Sequence, residues 1–261
     1  MQMVAAAKFA RAQADVRTLR PFAEGVEGIL ENFLRSGALP DHPLLAREEV
    51  RRRALVVMAS DRGLCGSYNA NVLRAAEGEL KKESDESMAV IPIGRRATDH
   101  FRRRSWKVLF SYRMLGDRLS PPLARELTWH IQRMYVEREV DQVDVVYTRF
   151  ISTMKREVVV RPMLGIRLEG EEAESGIPYI LEPSVEGLLA DLLPRVLVSR
   201  VTAVLAEVFA SEHSARMIAM RLATDNATEL IDQLTRIRNR MRQTAITKEL
   251  ADIVGAAEAM K

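Results

Sequence analysis

Along residues 1–36 the apolar side chains return at alternating steps of four and three: Ala12, Val16, Leu19, Ala23, Val26, Leu30 and Phe33. A 4,3 repeat marks one stripe of a helix that lies against another helix, the seam of a coiled coil. Pro21 falls inside the stripe and is expected to kink the helix or restart it. Ser36-Gly37 closes the segment, and Leu39-Pro40-Asp41-His42-Pro43 reads as a loop.

The pattern then changes period. Ala54–Ala59 is a short continuous apolar run that ends in Ser60-Asp61-Arg62-Gly63-Leu64-Cys65-Gly66. A helical stretch over 67–83 follows, then Met88–Ile93 as strand, Arg95–Arg104 as helix and Lys107–Tyr112 as strand. Pro121–Arg138 reads as helix, and Val143–Ile151 and Glu157–Ile166 as two strands close enough for a hairpin. Apolar strands alternating with helices predict a mostly parallel sheet covered on both faces. Residues 167–183 are acidic and punctuated by Gly and Pro, which reads as a linker or an irregular return.

From Pro194 to Gly255 there is neither Pro nor Gly. Leu197, Val201, Val204, Val208, Ser211, Ala215, Ile218 and Leu222 again step by four and three, and the stripe runs on less strictly through Asn226, Leu230, Leu234, Ile237 and Met241. An uninterrupted helix there is about 90 Å long. A small domain cannot bury that length, so the helix must project. The fold class expected is α/β: a Rossmann-like five-stranded domain inserted between N- and C-terminal helices that form a long antiparallel coiled coil. The segments are 1–36 for the first helix, 50–183 for the globular foot and 184–261 for the second helix. Ala, Ser and Asn in the distal seam bury little area, so the tip is expected to lean on surrounding protein.

Composition narrows the chemistry. A 47% hydrophobic fraction in 261 residues supports a packed core. No run of 18 apolar residues crosses a membrane. The single Cys excludes a disulfide framework and a Cys-based zinc site, and it fits a reducing compartment. His42, His100, His130 and His213 lack metal-ligand spacing, so no metal and no cofactor is expected. Gly63-Leu64-Cys65-Gly66 sits between strand and helix as a phosphate loop would, yet it lacks the Gly-Lys-Ser/Thr ending and the Gly-x-Gly-x-x-Gly spacing; a tight turn is the simpler reading. Cys65 reads as a small buried side chain rather than a nucleophile. The net charge of +3 does not by itself imply nucleic acid; any basic partner surface must be local. Arg236, Arg238, Arg240, Arg242 and Lys248 form a basic run without an acid between 233 and 248, and Lys8, Arg11, Arg17 and Arg20 oppose only Asp15. Such runs are usually solvated faces; phosphates or acidic protein loops are the other partners they suit. Nucleic-acid binding through them lacks interleaved aromatics and any reader motif.

Three stretches go further. Met1-Gln2-Met3-Val4-Ala5-Ala6-Ala7-Lys8-Phe9-Ala10-Arg11-Ala12-Gln13 resembles the N-terminal helix of the gamma subunit of F-type ATP synthase. Ser60–Asn69 is similar to that family's strand-turn signature. Ser211–Ala227, followed by Arg242-Gln243-Thr244-Ala245-Ile246-Thr247-Lys248-Glu249-Leu250 and Ile253-Val254-Gly255, matches its C-terminal order and spacing. The resemblance spans the chain, with about twenty family positions expected upstream of Met1, which itself reads as mid-helix without an N-cap. Residues 167–183 hold no cysteine pair, so the chloroplast-type thiol insert is absent and a bacterial-type subunit is implied.

The resemblance implies a non-catalytic rotor shaft. Its partners are the alpha and beta subunits of the ATP synthase, the epsilon subunit and the c-subunit ring, with no nucleic acid. It implies a peripheral location on the cytoplasmic face of a bacterial cell membrane, or alternatively on the matrix side of the mitochondrial inner membrane. It carries beta-subunit contacts onto Arg216, Gln243 and Thr247, with Arg242 beside them, and onto Met1, Met3 and Lys8 of the opposing face.

Overall fold

The computed structural model describes residues 1–35, 42–45, 49–82, 87–104, 106–165 and 185–259. The chain opens with helix α1, Gln2–Arg35, and closes with helix α5, Val185–Ala259, of 75 residues. Between them lie β1 (Arg53–Met58), α2 (Tyr68–Leu80), β2 (Met88–Ile93), α3 (Arg95–Arg102), α4 (Pro121–Val136), β3 (Gln142–Phe150) and β4 (Arg156–Leu164). The acidic stretch 167–183 and the Ser36-Gly37 helix end lie outside the described residues.

The four strands form one sheet in the order β2-β1-β3-β4. β1 runs parallel to both β2 and β3, and β3 turns back into β4 as an antiparallel hairpin. Alternation splits each strand between two cores. Ala54, Val56 and Met58 of β1 face a core shared with α1, α4 and α5. Leu55, Val57 and Ala59 face a second core built with α2 and α3. Burying each Val, Leu or Phe side chain contributes about 1.5–3 kcal/mol.

The fifth expected strand, Lys107–Tyr112, does not form. The segment lies beside β2 but makes two isolated parallel bridges only, Val90↔Val108 and Ile93↔Tyr112. The cause is Pro92. Val90 exchanges both hydrogen bonds with Lys107 and Leu109, and Tyr112 N–H reaches the Pro92 carbonyl. Pro92 has no N–H to return, so the ladder breaks between the two bridges. The edge segment also carries one residue more than β2 over the same interval, as a bulge does.

α1 and α5 are antiparallel. Arg20 pairs with Glu207 and Glu27 with Arg200, so one heptad up α1 is one heptad down α5. Ala12, Val16 and Leu30 are buried in the seam with Leu197, Val201 and Val208, and Ala23 on the same stripe is buried too. Pro21 does not restart α1, which is continuous across it. α5 lies between α1, the sheet and α4, and every residue from 205 to 215 is buried. A helix enclosed on all sides loses its amphipathic stripe, and here even Ser211, Glu212, His213 and Ser214 are inside. Beyond 220 the same helix is exposed nearly all round, with Leu230, Leu234, Ile237 and Met241 each more than half exposed.

Candidate functional site

Two regions hold the residues singled out by the sequence: a collar where α5 leaves the body, and the bare distal helix. The collar is the turn after β1. Asp61 fixes it from both ends, accepting the N–H groups of Arg95 and Gly116 at 3.0 Å each. The Ser60 N–H donates to Asn69 Oδ1 at 3.0 Å, and Asn69 Nδ2 donates to Cys65 Sγ at 3.2 Å. Leu64 and Gly66 both take positive φ, 62° and 58°, which folds the turn tightly enough to lay Cys65 against α5. Cys65 and Tyr68 pack on Ala215. Burial pushes the Cys65 thiol upward, so it is a packed, un-ionised side chain.

α5 answers with its own polar groups. Arg216 donates Nη2 to Glu212 Oε1 at 2.6 Å and Nε to the Gly63 carbonyl at 3.3 Å. Its side chain is 16% exposed, turned into the collar. His213 donates Nε2–H to the Asp117 carbonyl at 3.0 Å, which leaves Nδ1 to accept from Arg216 at 3.2 Å. Lys8 of α1 closes the ring by pairing with the Asp117 carboxylate at 2.8 Å. Burial raises the Glu212 carboxyl, with Arg216 opposing, and burial lowers the His213 imidazole. The hydrogen bond from Lys8 holds Asp117 low.

Further polar straps tie the helix to the sheet. Ser211 Oγ donates to the Thr148 carbonyl at 2.9 Å and Ser214 Oγ to the Thr153 carbonyl at 2.7 Å. Arg20 bridges three elements, reaching Glu207 of α5 at 2.8 Å and the Phe150 carbonyl of β3. Arg200 does the same for Glu27 and the Met163 carbonyl. The sequence reading of Lys8 and Arg20 as part of a solvated basic face is thereby corrected: Lys8 pairs with the half-exposed Asp117 carboxylate, and the buried Glu207 claims Arg20.

The seven expected contact residues are not one constellation. Arg216 and Lys8 belong to the collar. Arg242, Gln243 and Thr247 are exposed on bare helix, with Gln243 about 40 Å farther along α5 from Arg216. Thr247 Oγ1 donates back to the Gln243 carbonyl at 2.9 Å. Met1 and Met3 lie between these levels, 82% and 85% exposed at the start of α1. Sequence reasoning missed Glu207, Ser211, Glu212 and Asp117. The signal for Glu212 was present as an i,i+4 acid before Arg216; the others depend on tertiary approach. Among the described residues no group of three or more His, Cys, Asp or Glu gathers as a metal site, and no helix is long and apolar enough to cross a membrane.

Comparison with known proteins agrees with this geometry. A family model described as ATP synthase matches residues 1–260. The ATP synthase gamma chain of Moorella thermoacetica is 41% identical over 261 residues, covering 100% of this chain and 92% of that protein. The ATP synthase gamma chain of Heliobacterium modesticaldum is 40% identical over 268 residues with the same coverages. The fold matches a chain from the cryo-EM structure of the Tetrahymena thermophila mitochondrial ATP synthase central stalk and c-ring, with a TM-score of 0.67 at 21% identity over 86% of this chain and 97% of that one.

Proposed function

Because the chain belongs to the ATP synthase gamma-chain family, we propose that it is the central-stalk rotor, carrying torque between an ion-driven c-ring and the catalytic alpha/beta hexamer. It performs no bond chemistry itself. The observation that carries this reading is α5: one helix that is clamped on every side over 205–215 and then runs bare from 221 to 259. A clamped root resists slipping, and a bare end is free to meet different neighbours as it turns.

The foot, built on the four-stranded sheet, is the end to be driven by the c-ring and to hold the epsilon subunit. The bare helix enters the hexamer. Its exposed apolar residues are covered there by alpha and beta subunits, without anchoring strong enough to stall rotation. Coupling requires that each rotor angle interact differently with the open and closed forms of beta. Arg242, Gln243 and Thr247 supply that interaction at the tip, with Met1 and Met3 on the opposing face. Arg216 and Lys8 act at the collar, where their charges are already engaged inside the chain. The high identity to bacterial gamma chains supports a peripheral place on the cytoplasmic face of a bacterial membrane.

Mixing the purified chain with alpha and beta subunits tests the assignment. A stoichiometric alpha-three beta-three gamma complex that hydrolyses ATP is expected; failure to assemble overturns it.

A further inference from the structure

His213 is 1% exposed, and both of its ring nitrogens are committed. Nε2–H donates to the Asp117 carbonyl, so Nδ1 carries no proton and accepts from Arg216 Nη1 at 3.2 Å. Phe209, one turn back on α5, stacks on the ring face with 6.4 Å between centroids. The charged groups around the imidazole come from every element packed on it. α1 brings the Lys8 ammonium, and the 116–118 segment brings the Asp117 carboxylate that Lys8 engages. The turn after β1 brings Arg62, whose charge acts on Asp117, and Asp61, whose charge acts on Glu212. α5 itself brings Glu212 and Arg216.

Arg216 sits at the rim of this cluster. Its bonds to the Gly63 carbonyl at 3.3 Å and the Arg62 carbonyl at 3.5 Å are longer than the usual range, which leaves Glu212 at 2.6 Å and His213 as its principal holds. Arg62 and Leu64 beside it are exposed. A change of rotamer therefore carries the guanidinium from the collar into solvent.

A proton on Nδ1 turns the acceptor of Arg216 into a donor. It also sets an imidazolium shut off from water against a guanidinium, and like charges repel strongly there. The ring is fixed by the Asp117 carbonyl and Phe209, so Arg216 is the partner that leaves. Glu212 stays in the core. Burial already pushes its carboxyl upward against the pull of Arg216, so it takes up a proton as the guanidinium departs and no bare charge is left behind. Burial likewise holds the imidazole below its ordinary value, which keeps Arg216 inside near neutral pH.

The geometry points to a proton-operated switch in the collar: neutral His213 holds Arg216 inside, and protonated His213 expels it to the surface as a free cation. In the inside state Arg216 ties α5 to the turn after β1. In the outside state that tie is gone, and a cation stands at the rim for an acidic surface to meet. Its part in a complex rests on the rotor reading; the switch itself needs this chain only, so the two fail separately.

The test is a pH titration of the purified full chain from about pH 8 to about pH 4.5, following the His213 ring nitrogens and Arg216 Nε by nitrogen-15 NMR, with amide exchange as a second readout. One shared midpoint below 6.5 is expected: as the ring gains its proton, the Arg216 signal moves to the position of a solvated arginine. From 6.5 down to that midpoint the released fraction should rise about tenfold per pH unit. Amides of β1, Arg53–Met58, should keep their protection, which separates local release from unfolding. In His213→Gln, which retains an acceptor and cannot gain the charge, Arg216 should stay inside at every pH. Lys8→Met removes a facing cation and should raise the midpoint. Circular dichroism checks that both variants fold. An Arg216 signal that ignores protonation of His213, a ring that stays neutral to the end of the titration, equal movement in His213→Gln, a midpoint that Lys8→Met does not raise, or loss of β1 protection at the same pH overturns the switch.

Discussion

Arg20 of α1 and Glu207 of α5, 187 residues apart in sequence, meet at 2.8 Å over the Phe150 carbonyl of β3. One guanidinium thus joins the two helices and the sheet. Glu207 is 6% exposed, and its second oxygen has no other partner. Arg20→Met therefore strands a buried carboxylate and should cost about 2–4 kcal/mol in urea unfolding. The double change Arg20→Met with Glu207→Leu should recover most of that loss, since no charge is then left buried. A double variant no more stable than the single one would show that the pair is not the source.

The expected beta-contact residues separate by their own environments. Gln243→Leu and Thr247→Val alter exposed positions and should leave stability of the chain alone within about 0.5 kcal/mol. The assembled complex should nevertheless lose coupled ATP synthesis or hydrolysis. Arg216→Leu should do both, because it also orphans Glu212 and releases the Gly63 carbonyl. Unchanged turnover in all three variants removes these residues from the contact surface.

Acid sensitivity should trace to the collar. Burial holds the His213 imidazole below its usual 6.5, the Asp117 carbonyl partly opposing and the Arg216 and Lys8 charges reinforcing. The unfolded chain then takes up this proton first as pH falls. The group's stabilising contribution is complete above 6.5 and is lost as pH drops from 6.5 toward the lower folded value. The urea midpoint should fall between about pH 7.5 and 5.5, and fall less in His213→Gln. Equal declines in the two proteins would exclude His213 as the cause.

Gly94 links β2 to α3 at φ 91°, and a Cβ there would collide with the Ala59 carbonyl. Gly94→Ala combines left-handed strain with a backbone clash and should cost about 3 kcal/mol or more. Thermal unfolding of the variant checks this; a change within about 0.5 kcal/mol would mean the turn relaxes freely.

Amide exchange should vary along α5. Protection is expected to be highest over 205–215 and to fall beyond 221, where nearly every described residue of the helix is exposed. Uniform protection to the end of the helix would contradict the bare-tip geometry.

Much of this architecture could be read from spacing. The 4,3 seams located α1 and the buried part of α5, and Met88–Ile93 forms the strand its apolar run predicted. The strand count missed by one because Pro92 acts across a ladder, on a neighbour that its own segment does not reveal. Pro21 does not end the helix: its ring removes one backbone hydrogen bond while the flanking seam residues Val16 and Ala23 stay buried. The site was legible as residue types only. Arg216 beside Glu212 was visible at i,i+4, whereas the Gly63 carbonyl that receives it comes from a turn 153 residues away. Lys8 and Arg20 looked solvated because their acceptors, Asp117 and Glu207, are distant in sequence.

The enclosure of residues 205–215 sets where this molecule can deform. Inside the chuck formed by α1, α4 and the sheet, the helix shares any load with thicker neighbours. Past residue 220 the same backbone continues without a splice but as a single slender rod. Elastic compliance is thus concentrated in the outer length, and wind-up accumulates there while the gripped root stays in phase with the foot.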